Sequence, residues 1–229
     1  EKLYHRGVSE AAIIGSLRDA HGDRIVDVLL EHAWSNRPDV RGAAILFLGL
    51  LKDERALTPL LELSSDDNFR EDIKRAMVYI GREKPDSLLP LYSSSDVYLR
   101  RFLCEVAVVV AAPLYFDVML KGLGDDDGHI RALAAAGLSN IGDKAAVEHI
   151  MKLLDDPYID VQEAAVKALV AFRDRLDASL LKKDLEGKNP VLKKNVILLL
   201  GRVEAEGAVP AIGFCLKDED VLVRRAVVS

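Results

Sequence analysis

Apolar residues return along this chain on two periods at once. Over short distances they recur every three or four positions, as in Ile130, Ala134, Leu138 and Ile141, which lines them up on one face of a helix. Over longer distances an apolar residue followed by a long polar one recurs as Val40-Arg41, Phe69-Arg70, Leu99-Arg100, Ile130-Arg131, Val161-Gln162, Leu192-Lys193 and Val223-Arg224. The steps between successive pairs are 29, 30, 31, 31, 31 and 31 residues. A fixed period of roughly 20–50 residues marks a chain built by stacking one small unit many times.

The unit around Arg131 shows what is stacked. Asp127 precedes the periodic run and suits an N-cap, because its carboxylate can accept a bond from an orphan backbone N–H. Gly142 stands where that helix should stop, since glycine enters the left-handed region at little cost. A second helix is predicted from about Lys144 to Leu154, with Ala146, Ile150, Leu153 and Leu154 on its apolar face, until Asp155-Asp156-Pro157 breaks it. Three residues after each marker come Ala44, Ile73, Leu103, Ala134, Ala165, Val196 and Val227; seven after come Leu48, Met77, Ala107, Leu138, Leu169 and Leu200; ten after come Leu51, Ile80, Val110, Ile141, Phe172 and Val203. Every member is apolar. No single helical hairpin can bury such a face alone. The pattern therefore predicts an all-α fold, an α-solenoid (superhelix) of stacked antiparallel helix pairs with a period of about 31 residues.

These residues resemble the HEAT-repeat family, in particular the short bacterial repeats also found in phycobilisome lyase subunits. The resemblance is carried by Asp-x-x-(Val/Ile/Leu)-Arg at Asp96 to Arg100 and at Asp127 to Arg131, by the Gly142-Asp143 turn, and by the spacing throughout. Gln162 and Lys193 depart from the arginine of that motif, and Arg37 stands where Asp is expected before Val40. The resemblance implies a fold and is close to silent on activity.

A leading helix is expected near Ser9 to Ala20, followed by the seven marker helices. With no low-complexity linker in between, residues 1–229 read as a single repeat array. Glu1 is not an initiator methionine, so the array reads as part of a longer protein. The 229 residues are 50% hydrophobic, 30% charged and only 6% aromatic, enough apolar material for an elongated core of Leu, Val and Ala. No run of 18 apolar residues occurs, which leaves no membrane-spanning helix to expect. Cys104 and Cys215 are well separated and match no metal or redox spacing, which points to reduced, cytoplasmic surroundings.

Candidate chemistry is sparse. The basic column Arg41, Arg70, Arg100, Arg131, Lys193 and Arg224 would line one edge of the stack. In the family this chain resembles, such residues pair with Asp in the turns, building a ladder between repeats; Asp66 or Asp67, Asp96, Asp127, Asn189 and Asp220 are available as partners here. Binding of an anionic partner is the alternative use of that column. One and five positions after the marker, Glu71, Arg75, Arg101, Glu105, Glu163, Lys167, Lys194 and Arg225 should be more exposed, on the side that the family geometry makes concave. Glu71–Arg75, Arg101–Glu105 and Glu163–Lys167 stand four apart, as intrahelical pairs do. The same charges could choose a protein partner by electrostatic complementarity. The stretch from Val97 to Val110 is apolar on nearly all sides; it reads as a more buried middle repeat, with Val108 near the open side.

His5, His21, His32, His129 and His149 form no metal-binding pair, and no phosphate-binding glycine loop or nucleophile elbow occurs. No catalytic residue, cofactor or metal site is expected. The sequence points to a non-catalytic scaffold that binds a protein or peptide. A chromophore (bilin) lyase-type subunit acting with a second repeat protein is the alternative that the resemblance implies. Nucleic acid is disfavoured as a partner by the net charge of -6, because phosphate contacts need a basic surface.

Overall fold

The computed structural model describes residues 9–176 and 178–229. Among the described residues, fourteen α-helices and several short 3₁₀ segments, with no strand, divide into two compact units, Glu1–Leu114 and Tyr115–Ser229.

Unit 1 holds α1 (Glu10–His21), α2 (Ile25–Ala33), α3 (Pro38–Leu51), α4 (Leu57–Leu63), α5 (Arg70–Glu83) and α6 (Val97–Val110). Ser9 accepts a bond from the Ala12 N–H and so starts α1 as expected. Pro38 opens α3, where its fixed φ suits a helix and its missing N–H costs nothing. α3 packs on α5 and α5 on α6. Gly49 sets the first of these contacts: a Cβ there would lie 2.6 Å from the Ala76 Cα, so only glycine lets the two backbones come so close. The partner segment of α5 is not an α-helix but a 3₁₀ run, Pro85–Ser93. Pro90 lies inside it, and a proline there removes a donor and clashes with the preceding turn. The step across this repeat, from Arg70 to Arg100, is 30 residues, one short of the steps that follow.

In α6 the side chains of Phe102, Leu103, Cys104, Val106 and Ala107 are buried, while Tyr98 and Val109 are exposed and Val108 is half-buried. The middle repeat is thus tightly packed, as the sequence suggests. Its open side passes through Val109 rather than Val108, one residue from the expected position.

Unit 2 holds α7 (Phe116–Gly122), α8 (Gly128–Ile141), α9 (Val147–Met151), α10 (Ile159–Val170), α11 (Ala178–Leu185), α12 (Pro190–Arg202), α13 (Val209–Phe214) and α14 (Val221–Val227). The stack runs α8 on α10, α10 on α12 and α12 on α14. The second helix predicted from Lys144 is real but composite: a 3₁₀ turn (Lys144–Ala146), α9, and a second 3₁₀ turn (Lys152–Asp155). Asp127 accepts from the Ile130 N–H, Asn189 from Val191 and Leu192, and Asp220 from Leu222 and Val223, so three of the four stacked helices carry a side-chain cap.

The apolar columns form the core. Ala44, Leu48, Ile73, Met77, Leu103, Ala134, Leu138, Ala165, Leu169, Val196 and Leu200 are buried. The outermost column loosens, with Val110, Ile141 and Val203 only half-buried. Eleven residues after four of the markers the chain turns left-handed, at Lys52 (φ 54), Ala111 (φ 51), Gly142 (φ 78) and Glu204 (φ 54). Gly142 is the glycine at which the sequence places a helix end; the other three make the same turn with a side chain attached.

Candidate functional site

The basic column is built into the packing. Arg131 extends from the first turn of α8 and donates from Nε to Asp156 Oδ2 at 2.7 Å and from Nη2 to Oδ1 at 3.0 Å. Its Nη1 donates to the carbonyls of Asp125 and Asp126, which closes the turn before α8. Both partners of this pair are buried. Burial alone would raise the Asp156 pKa, but the Arg131 hydrogen bond, the Tyr158 N–H and the Arg131 charge outweigh it and hold the carboxyl below the usual range. Lys193 reaches Asp218 at 2.8 Å, and Lys193 holds that carboxyl down as well. In unit 1, Arg41 reaches Asp66 at 2.7 Å and lies over the Phe69 ring at 4.6 Å.

In each of these pairs the acid stands 25 residues after the base. Asp96, Asp127 and Asp220, which the sequence offers for the ladder, instead cap their own helices, because an N-cap carboxylate faces the orphan N–H groups of the turn it opens. Arg224 and Arg100 donate to turn carbonyls, of Asp218 and Glu219 and of Ser95 respectively. The residue 25 after Arg70 is the uncharged Ser95, and Arg70 pairs instead with Glu105 at 2.7 Å and stacks on Phe102 at 4.7 Å. Gln162 takes the place of the missing arginine with an amide: its Nε2 donates to the Asp156 carbonyl at 2.6 Å, while its Oε1 accepts from Lys194 and Asn195, both at 3.0 Å. In both units the column's side chains are engaged by carboxylates or turn carbonyls, although the buried Arg41 Nε has no hydrogen-bond partner among the described residues.

The exposed charges behave differently in the two units. On α5, Glu71 pairs with Lys74 at 2.7 Å and Arg75 with Asp72 at 3.1 Å. Glu105 of α6 receives both Arg70 and Lys74. The expected pairs Glu71–Arg75 and Arg101–Glu105 are therefore replaced: Glu105 is half-buried beside two cations of the neighbouring helix, where attraction is less screened than along an open helix. Arg101 lies 5.8 Å over the Tyr98 ring. The charges of α5 and Glu105 are mutually compensated.

In unit 2 they are not. Glu163, Lys167 and Arg225 are exposed and form no ion pair among the described residues, so the expected Glu163–Lys167 pair is not made. Lys194 is held by the Gln162 amide, which fixes its position and leaves its charge uncompensated. Four charged side chains on three consecutive stacked helices thus remain available to another molecule.

Two hollows lie elsewhere. A cleft of about 460 Å³ between α1, α2 and α3 is lined by Leu17, Val28, Val40 and Phe47, with His21 and His32 at its wall. A polar hollow of about 390 Å³ in unit 2 lies among Ser139, Asp143, Lys144, Asp174 and Arg175. Among the described residues no group of three or more His, Cys, Asp or Glu side chains is placed to hold a metal; His5 lies outside the described residues. Cys104 and Cys215 are buried and in no disulfide, and burial pushes the Cys215 pKa up. No helix among the described residues is long and apolar enough to cross a membrane.

Sequence reasoning missed Asp156 and Asp218 as the ladder acids and the exposed apolar residues Tyr158, Ile159, Val221 and Leu222. The recurrent 25-residue spacing between base and acid was the available signal for the first two.

A sequence model of HEAT repeats matches residues 8–79 and 85–170. No protein of curated function matches the sequence significantly. Among solved structures, Kap95p in complex with RanGDP is similar over 95% of this chain and 36% of its own, with 11% identity and a TM-score of 0.62. This chain thus spans about a third of Kap95p. YibA of E. coli is similar over 100% of this chain and 96% of its own, with 16% identity and a TM-score of 0.50. The complex of CpcE and CpcF of phycocyanin lyase from Nostoc sp. PCC7120 gives a TM-score of 0.47 at 18% identity, over 89% of this chain and 92% of that one. These likenesses concern the fold.

Proposed function

We infer that this chain, which belongs to the HEAT-repeat family, is a non-catalytic interaction scaffold that binds a protein or peptide on the exposed face of its stacked helices. One observation carries the reading. Glu163, Lys167, Lys194 and Arg225 recur on consecutive helices of unit 2 without internal ion-pair partners, whereas the equivalent charges of α5 and Glu105 are spent on one another. Unpaired charges held on a rigid face attract and orient a complementary partner. The complexes that Kap95p forms with RanGDP and with Nup1 accord with protein binding by such a fold. Two buried cysteines outside any disulfide fit the reduced, cytoplasmic setting proposed here.

The reading is tested by affinity capture from a native extract with wild type and with Glu163→Lys/Lys167→Glu/Arg225→Glu. Arg75→Glu on unit 1 serves as the surface control, and circular dichroism checks that all variants stay helical. A partner held by wild type and the control but lost by the triple variant supports the scaffold. A partner held equally by all three moves the site elsewhere, first to the cleft between α1 and α3. An absorbance change on mixing with a free bilin, in place of any captured protein, would favour the lyase-type subunit.

A further inference from the structure

The two turns that frame the polar hollow of unit 2 differ from their counterparts in unit 1. Thirteen residues after Arg41 and Arg70 stand Glu54 and Glu83, and each reaches a cation on the other turn. Glu83 meets Lys52 at 3.0 Å, and Glu54 meets Lys84 at 3.3 Å. Two crossed bridges therefore tie those turns together. Thirteen residues after Arg131 and Gln162 stand Lys144 and Arg175 instead, a cation on each turn. No ion pair joins these two turns among the described residues, and both line the hollow of about 390 Å³. Like charges on neighbouring turns repel unless an anion lies between them.

The carboxylates at the hollow do not fill that role. Asp143 Oδ1 accepts from the Ala145 N–H at 2.9 Å, which holds it on its own turn. Asp174 stands 3.9 Å from its neighbour Arg173. Neither acid pairs with Lys144 or Arg175, whose side chains are exposed and make no ion pair among the described residues. Three basic side chains (Lys144, Arg173, Arg175) thus stand against two acidic ones, and the excess is positive. The hollow is also lined by half-buried Ser139 of α8, whose hydroxyl is a further donor. An ammonium, a guanidinium fork and a hydroxyl suit an anion with more than one charge and more than two acceptor oxygens. A phosphate monoester has both, with a charge of about −1.5 to −2 near pH 7 and three strong acceptor oxygens. A single carboxylate has neither. The volume falls within the roughly 300–1,000 Å³ of small-molecule sites, which leaves room for an organic body beside the phosphoryl group.

We propose that this hollow binds a small phosphate monoester, its phosphoryl group held by Lys144, Arg175 and Ser139. The site is separate from the charged face of the scaffold and does not depend on that reading. The test is calorimetric titration at low salt, where exposed charges are least screened. Glycerol 3-phosphate is the probe, with inorganic phosphate and the dicarboxylate glutarate as comparisons. Saturable binding of glycerol 3-phosphate to wild type is expected, tighter than that of either comparison anion. Lys144→Ala and Arg175→Ala should each weaken it about tenfold or more, since each removes a charge-assisted hydrogen bond. Lys121→Ala, which removes an exposed cation elsewhere in unit 2, should leave it unchanged. Lys144→Glu places at this turn the residue type that Glu54 represents in unit 1; it should pair with Arg175 and abolish binding, with helicity intact. Binding weakened equally by Lys121→Ala, or untouched by Lys144→Glu, overturns the site. Glutarate or inorganic phosphate bound as tightly as glycerol 3-phosphate overturns the monoester, and the lack of saturable binding by folded wild type overturns the proposal outright.

Discussion

Asp156 is the side chain on which unit 2 depends most heavily. Its buried pair with Arg131 also anchors Tyr158 and adjoins the Gln162–Asn195–Lys194 chain of hydrogen bonds, so one residue ties α8, α10 and α12 together. Replacing it with alanine leaves a buried guanidinium without its carboxylate and should cost about 3–5 kcal/mol, read from urea unfolding. The same residue gives a pH signature. Its folded pKa lies below the usual carboxylate value, so its stabilisation is complete above about pH 4 and is lost as pH falls through the folded value. Asp66 and Asp218 are depressed in the same direction and add to that acid limb. Stability measured from pH 6 down to pH 2 should fall less steeply in Asp156→Asn than in wild type, from a lower starting point. Ala111 offers the opposite test. It carries a left-handed backbone with a side chain, a conformation disfavoured by about 1–2 kcal/mol. Part of this is offset by the freedom glycine gains in the unfolded chain, so Ala111→Gly should stabilise by up to about 1 kcal/mol, and an unchanged or lowered urea midpoint would count against it.

The helices were legible in the sequence because their signals are local. Asp127 caps α8, Gly142 stops it, and the apolar columns fill the core, as Leu138 shows at 0% exposure. Leu138→Ala should cost about 2–5 kcal/mol, since it empties space between α8 and its neighbours. What the sequence did not disclose depends on how elements meet. The 25-residue reach from Arg131 to Asp156 is a property of two stacked hairpins, and no helix-capping rule contains it. The transfer of Glu105 from Arg101 to Arg70 and Lys74 has the same origin. So does the role of Gly49, whose missing side chain lets α3 and α5 come into contact. Gly49→Val would drive a side chain into the Ala76 backbone and should destabilise by about 1–3 kcal/mol or more, which a thermal melt would show as a lowered midpoint.

The whole chain has more repeats than its function can be read from, since stacking explains nearly every recurrent residue. Function has to be sought where the repeat pattern is broken or left unsatisfied. Gln162 replaces a cation with an amide, and the consequence is a positioned but uncompensated Lys194. Ile159 and Val221 put apolar side chains where solvent is expected. These departures gather on one face of unit 2, while the equivalent position in unit 1 carries Asp67 and the α5 charges are paired. The most direct test is amide hydrogen exchange of the chain alone and with its captured partner. The account predicts protection concentrated in the first turns of α10, α12 and α14, with α3 and α5 unchanged. Protection centred on the cleft between α1, α2 and α3, with α10 to α14 unaffected, would contradict it.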